Sequence, residues 1–123
     1  MDPTDLPGYA GRIHDYFAAQ PEHFRLMTWG QLELAAPGVR PDDAIQRAAA
    51  HRIEQLRTAQ ETGHLDPAWD PLDVLVFVNQ IAMSWANRPD LARTLSPEDH
   101  ALHLAARRAA IVAAVQRLFP ATP

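Results

Sequence analysis

Apolar positions along the chain recur at helical spacing, and prolines divide this pattern into segments of helical length. Five helices are predicted, at about 8–19, 21–36, 41–62, 70–88 and 97–119. Proline suits the first turn of a helix, where no amide donor is needed, and Pro21, Pro71 and Pro97 stand at predicted starts. No segment alternates as a strand does. We therefore expect an all-α fold, a five-helix bundle.

The predicted helices differ in how much of their circumference is apolar. Helix 8–19 carries one apolar stripe, whereas helix 70–88 is apolar around roughly three quarters of its surface. Such a helix is either central in its own domain or half buried against a second chain. Helix 97–119 has a bulky apolar face and many alanines, which let two helices approach closely or simply favour helix formation.

Polar residues interrupt several of these apolar faces. They are Tyr16, Thr28, Gln31, Arg52 and Asn79. Burying a polar group is costly unless it finds a hydrogen-bond partner, so each of them could be a satisfied polar group of the core. Together they also match what a small-molecule pocket requires, which is apolar walls with a few convergent donors and acceptors.

Composition narrows the classes of function. The chain of 123 residues forms one domain, and its net charge of −4 argues against its gripping a phosphate backbone by itself. Cysteine is absent, which excludes disulfides, thiol catalysis and cysteine-ligated zinc. No apolar run approaches the roughly 18 residues of a membrane span. We expect a cytoplasmic protein that does not bind membranes and needs no cofactor.

Histidine offers the strongest alternative chemistry. His100 and His103 lie three positions apart on one predicted helix, the spacing that a helical metal site needs. No second helix carries a matching pair, so surface histidines are the preferred interpretation, with a metal-binding bundle or metalloenzyme as the alternative. Ser84 and Ser96 do not lie in a nucleophile elbow, and no glycine-rich phosphate loop occurs, so we predict that the chain is not an enzyme.

Two stretches resemble the C-terminal half of bacterial tetracycline-repressor-like (TetR) regulators. In YAGRIHDYFAAQPEHFRLMTWGQLE a helix ending in an aromatic pair is followed by a Pro-Glu-x-x-Arg-Leu turn into a second helix. In AQETGHLDPAWDPLDVLVFVNQIAMSW a helix ends at Ala-Gln-x-x-Gly-x-Leu, and a proline-rich turn leads into a long apolar helix. The resemblance extends from about Tyr9 to Phe119 and implies a ligand-binding and dimerisation domain over 8–119, between a lead-in at 1–7 and a tail at 120–123.

This resemblance implies a homodimer whose last two helices form a four-helix bundle with those of a second chain. The implied interface residues are Val74, Phe77, Val78, Ile81, Trp85, Leu104, Arg108, Ile111, Val115 and Leu118. The earlier helices would enclose a small hydrophobic or amphipathic effector. The implied pocket residues are Tyr16, Phe17, Phe24, Met27, Thr28, Gln31, Leu32, Arg52, Leu56, Asn79 and Met83.

The helix-turn-helix of such regulators does not occur in this sequence, so DNA would be bound only through an N-terminal domain that is absent here. We expect an excised domain or a fragment of a longer regulator, with a natural stand-alone domain as the alternative. The expected function is to bind an effector and thereby modulate DNA binding by the N-terminal helix-turn-helix domain. A dimerisation module without a ligand is the further alternative. No motif identifies the effector or the regulated genes, and none tells a repressor from an activator.

Overall fold

The computed structural model describes residues 1–38, 42–94 and 97–122, without the side chains of residues 97 and 98. Within these residues the chain forms α-helices and no strand, which confirms the predicted all-α class. The helices are α1 (Leu6–Ala19), α2 (Pro21–Leu34), α3 (Asp43–Glu61), α4 (Pro71–Ala82), α5 (Pro89–Ala92) and α6 (Pro97–Leu118). None of the described helices is both long and apolar enough to cross a membrane.

Side-chain caps and glycines define several helix ends. Asp5, Asp42 and Asp70 precede α1, α3 and α4, and each accepts a hydrogen bond from a backbone amide of the first turn, at 3.0, 2.9 and 2.8 Å. Gly38 and Gly63 follow α2 and α3 with φ of +83° and +82°, the left-handed conformation that ends helices and that glycine adopts without strain. The predicted start at Pro41 lies outside the described residues.

The fourth helix is shorter than predicted. It ends at Ala82 rather than near residue 88, and the chain continues through turns into the short α5. The Ser84 hydroxyl donates to the carbonyl oxygen of Ile81 at 2.7 Å, while the Ser84 amide bonds the same carbonyl at 3.2 Å in the tighter i to i−3 pattern. The apolar periodicity predicts the helix but not this local change of hydrogen bonding.

The core lies where α1, α4 and α6 pack together and the C-terminal half of α3 covers α4. Its largest fully buried side chains are Leu56, Val74, Val78, Val115 and Phe119. Trp69, in the loop before α4, closes one end of this core, with its ring 5.1 Å from that of Phe119 in an edge-to-face arrangement.

The N-terminal segment, residues 1–7, packs partly into the core. Leu6 is only 2% exposed and begins α1, and Met1 packs against the same cluster. The C-terminal residues are also held, because the Thr122 amide donates to the Thr4 carbonyl at 3.0 Å. Both termini therefore pack onto the helices that they flank.

Helix α2 lies at the edge of this assembly. All fourteen of its residues are described and none of them is buried. Leu26, Trp29 and Leu32 are 66%, 64% and 68% exposed, so much of its apolar surface is uncovered. The same holds for Ile45 at the start of α3, which is 54% exposed. Of these exposed residues, Leu32 is also one of the predicted pocket residues.

Candidate functional site

A concave surface lies between α2 and the turns around α5. It is an open cleft of about 920 Å³, called here the α2 cleft. Its apolar walls are Pro21, Phe24, Leu26, Trp29, Leu32, Ala86 and Pro89. Its polar lining is Glu22, Arg25, Thr28, Asn87 and Arg93. Apolar walls with a few polar groups are the usual composition of a small-molecule site.

Three of the predicted pocket residues meet in this cleft. Phe24, Thr28 and Leu32 follow one another at helical spacing along α2 and line its inner side. The Thr28 hydroxyl donates to the carbonyl oxygen of Phe24 at 2.9 Å, so its proton is used within the helix and its lone pairs remain available to a ligand. Trp29 and Leu26, the next residues round the helix, contribute walls as well.

The other predicted pocket residues do not line the cleft. The lining contains none of the residues Tyr16, Phe17, Met27, Gln31, Arg52, Leu56, Asn79 and Met83. Leu56 is fully buried in the core and Met83 is 8% exposed, so both serve packing. Arg52 lies exposed on α3, and Asn79 is bonded to Tyr9. The described cleft therefore includes only part of the pocket that the resemblance implies, and the remaining pocket residues stay a prediction.

Aromatic contacts attach α2 to α1 beside the cleft. The ring of Phe17 lies 5.3 Å from that of Phe24, edge to face, and 5.2 Å from that of Tyr16. The Tyr16 hydroxyl also hydrogen bonds the Nδ1 atom of His23. Phe17 and Tyr16 therefore position α2 rather than contact what enters the cleft. Met27 is half buried and Gln31 is exposed.

Arginine gives the cleft an excess of positive charge. Arg25 pairs with Glu22 at 2.8 Å, both largely exposed. Arg93 lines the cleft, is exposed and makes no ion pair with another described side chain. Asn87 and Arg93 are not among the pocket residues predicted from the sequence, because the apolar pattern predicts a continuous helix through residue 87. The proline at position 89 was the available signal, since the residue before a proline disfavours helix.

The predicted interface residues fall into two groups. Val74, Val78, Ile111 and Val115 are at most 3% exposed within their own chain, so they pack in its core. The helical wheel identifies the apolar stripe of each helix but does not show which neighbour covers it.

Other members of the predicted interface are accessible or occupied elsewhere. Phe77 and Leu118 are each 41% exposed. The Cζ atom of Arg107 lies over the ring of Trp85, 5.3 Å from its centroid. Arg108 donates a hydrogen bond to Asp15 of its own chain. Ile81 and Leu104 are half buried. Leu72 and Val76 add exposed apolar area on α4, at 52% and 45%.

The two histidines singled out for metal binding, His100 and His103, form no metal site with other described side chains. The ring of His103 packs edge to face on Trp85, with the centroids 5.0 Å apart. No group of three or more potential metal ligands comes together in the part of the chain that the structure describes. The arrangement therefore gives the metal hypothesis no support.

Comparison with known proteins places this geometry among transcriptional regulators. Residues 5–117 match the family described as tetracyclin repressor-like, C-terminal domain. The HTH-type transcriptional repressor SCO4008 of Streptomyces coelicolor is 31% identical over 86 residues, which are 70% of this chain and 44% of that protein. The crystal structure of a candidate transcriptional regulator, SCO4942 of Streptomyces coelicolor, is 50% identical with a TM-score of 0.82, over 99% of this chain and 64% of that one. The chain thus spans less than two thirds of either relative.

Proposed function

The chain belongs to the tetracyclin repressor-like C-terminal domain family, and on that premise we propose that it is the effector-binding and dimerisation domain of a bacterial transcriptional regulator. The match over residues 5–117 carries this proposal, because it runs from the capping residue of α1 to the last turn of α6. DNA would be contacted by another domain of the regulator, in keeping with the net charge of −4 here. Such a regulator works in the cytoplasm.

The α2 cleft is the proposed effector site. It has a volume of about 920 Å³, it combines apolar walls with polar groups, and it adjoins α2, a helix in which no residue is buried. A ligand seated there would cover part of Leu26, Trp29 and Leu32 and remove their apolar area from water. This gain supplies affinity without specificity, which must come from the polar lining.

Charge selects the class of effector. Arg25 is balanced by Glu22, whereas no described carboxylate pairs with Arg93, so the described lining of the cleft favours a negative group. A guanidinium binds a carboxylate through paired hydrogen bonds of complementary geometry. We therefore infer an amphipathic anion, with a carboxylate near Arg93 and an apolar body along α2.

The exposed outer faces of α4 and α6 form the proposed dimer surface. Leu72, Val76 and Phe77 leave large apolar area uncovered on α4, and Leu118 does so at the end of α6. The exposed alanines between them, such as Ala110 and Ala113, would let helices of two chains approach closely. Two chains would thereby bury a set of side chains that one chain leaves in water.

Effector binding would act through the position of α2. This helix contacts the body mainly through α1, while the opposite wall of the cleft follows α4. A ligand bridging the two walls favours whichever arrangement of α2 it fits better, and it shifts the equilibrium only by its difference in affinity between arrangements. Because α4 would contribute to the dimer, this shift would be passed to the partner chain.

Dimerisation is tested by sedimentation equilibrium of the purified chain at micromolar concentration. We expect a dimer, and we expect Phe77→Glu to dissociate it, since a charge would enter an apolar contact. Leu91→Glu is the matched control, because Leu91 is also 41% exposed but lies on α5. A monomeric parent chain, or equal effects of the two substitutions, refutes the interface.

Effector class is tested separately by calorimetric titration with decanoate, decanol and decyltrimethylammonium. Decanoate should bind best, and Arg93→Gln should weaken it about tenfold, as loss of one charge-assisted hydrogen bond implies. Arg47→Gln, at an exposed arginine of α3 outside the cleft, should change nothing. Equal affinity for the three probes contradicts the inferred class, and binding unaffected by Trp29→Ala contradicts the site.

A further inference from the structure

His14 is a buried imidazole that the proposed effector site and dimer surface do not use. It lies on α1 against α6, and it is 7% exposed. Its Nε2 atom is buried and has no hydrogen-bond partner among the described residues. Buried polar atoms are nearly always hydrogen bonded, so an unpaired one indicates that a further group belongs there.

A groove opens directly beside this ring. It has a volume of about 350 Å³ and is called here the α1–α6 groove. Its apolar lining consists of Ala18 and Ala19 of α1 and of Leu104 and Ala105 of α6. His14 lies at its wall. The small alanine side chains leave the space open. The groove shares no lining residue with the α2 cleft.

The charges in the groove balance one another. The Nε atom of Arg108 donates to both carboxylate oxygens of Asp15, at 3.0 and 2.9 Å. Burial lowers the pKa of His14, and Arg108 and His103 lower it further. The Asp15 carboxylate and a hydrogen bond to the Leu104 backbone act in the opposite direction and raise this pKa. Burial thus favours the neutral imidazole, and the Asp15 carboxylate and the Arg108 guanidinium offset each other's charge.

The geometry points to a second ligand site in the α1–α6 groove, which binds a small neutral molecule through one hydroxyl group at the Nε2 atom of His14. A hydroxyl can both donate and accept, so it satisfies a neutral imidazole in either tautomer. An anion would face the Asp15 carboxylate, and an ammonium would face the Arg108 guanidinium. The apolar part of the ligand would cover the alanines.

The test is an NMR titration of the isotope-labelled chain with phenol, toluene and benzoate. Phenol should cause saturable shifts of the His14 imidazole, assigned by its absence from His14→Phe, and of the Ala18 and Ala105 amides. Toluene lacks the hydroxyl and benzoate carries a charge, so both should bind about tenfold more weakly. His51→Phe, at an exposed histidine, is the matched control.

Two substitutions separate binding from folding. His14→Phe removes the nitrogen and should weaken the phenol-induced amide shifts about tenfold. Ala105→Leu retains His14 but fills the groove from an exposed position of α6, so it should abolish phenol binding in a folded chain.

The absence of saturable shifts in the parent chain overturns the proposal and leaves water as the partner of Nε2. Phenol shifts that persist in Ala105→Leu overturn it as well, and benzoate binding as tight as phenol overturns the neutral class.

Discussion

The hydroxyl of Tyr9 donates a hydrogen bond to the side-chain oxygen of Asn79 at 3.2 Å, across 70 positions of the chain. This bond joins α1 to α4 at the margin of the core. It gives Asn79 a partner within its own chain, so the polar interruption of the apolar α4 is a structural contact. Tyr9, which the sequence places on the apolar stripe of α1, supplies that partner through its hydroxyl.

Tyr9→Phe keeps the ring in place and removes only the donor. We expect it to lower the free energy of unfolding by about 1 kcal/mol, the usual net value of one partly buried hydrogen bond. Tyr16→Phe is the control, because the Tyr16 hydroxyl bonds His23 at an exposed position. Urea denaturation followed by circular dichroism measures both, and equal stability of Tyr9→Phe and the parent chain would refute a structural role for this bond.

Helix positions could be predicted because their signals are local. Asp70 caps α4 and Pro71 occupies its first turn, and both features are legible in the sequence. The end of α4 was misplaced because its apolar pattern continues to Trp85 although the hydrogen bonding changes near Ser84.

The site was predicted less well, because a pocket depends on which helix faces meet. Phe24, Thr28 and Leu32 lie together on one helix, and their shared position in the cleft follows from spacing alone. Their opposite wall, around Asn87 and Arg93, comes from turns more than fifty positions away. The predicted partners Arg52 and Asn79 have suitable chemistry, but one faces solvent and the other bonds Tyr9.

Two consecutive residues at the end of α6 have opposite environments. Phe119 is 1% exposed and contacts Trp69, whereas Leu118 is 41% exposed. Phe119→Ala should lower the free energy of unfolding by about 3–5 kcal/mol, the cost of deleting a buried ring. Leu118→Ala should leave the stability of the isolated chain within about 1 kcal/mol and instead weaken self-association. Thermal unfolding measures the stability of the two variants, and sedimentation equilibrium measures their self-association. A Leu118→Ala variant as unstable as Phe119→Ala would contradict the placement of Leu118 on the exposed surface.

Gly11 and Gly30 are helical glycines with different surroundings. A Cβ atom on Gly11 would lie 2.9 Å from the Cζ and Nη2 atoms of Arg108 and 3.1 Å from Val112, whereas nothing lies within 4 Å of one on Gly30. Gly30→Ala should stabilise the chain by about 0.5–1 kcal/mol through helix propensity. Gly11→Ala has the same propensity gain but must displace the flexible end of Arg108 and disturb its exposed ion pair with Asp15, so it should be less stable than Gly30→Ala by about 1 kcal/mol. Equal stabilities in guanidinium denaturation would show that the Arg108 side chain moves away freely.

Burial of His14 predicts a dependence of stability on pH. Its pKa is lowered by burial in the folded chain, whereas an unfolded histidine titrates near 6.5. As the pH falls below about 6.5, the unfolded chain binds the proton more readily, so the stabilising contribution is present above that pH and is lost progressively below it. His14→Phe should flatten this part of the profile, measured by urea denaturation between about pH 5 and 8. The exposed control His51→Phe should retain the full slope, and an equally flat profile for both variants would assign the pH dependence elsewhere.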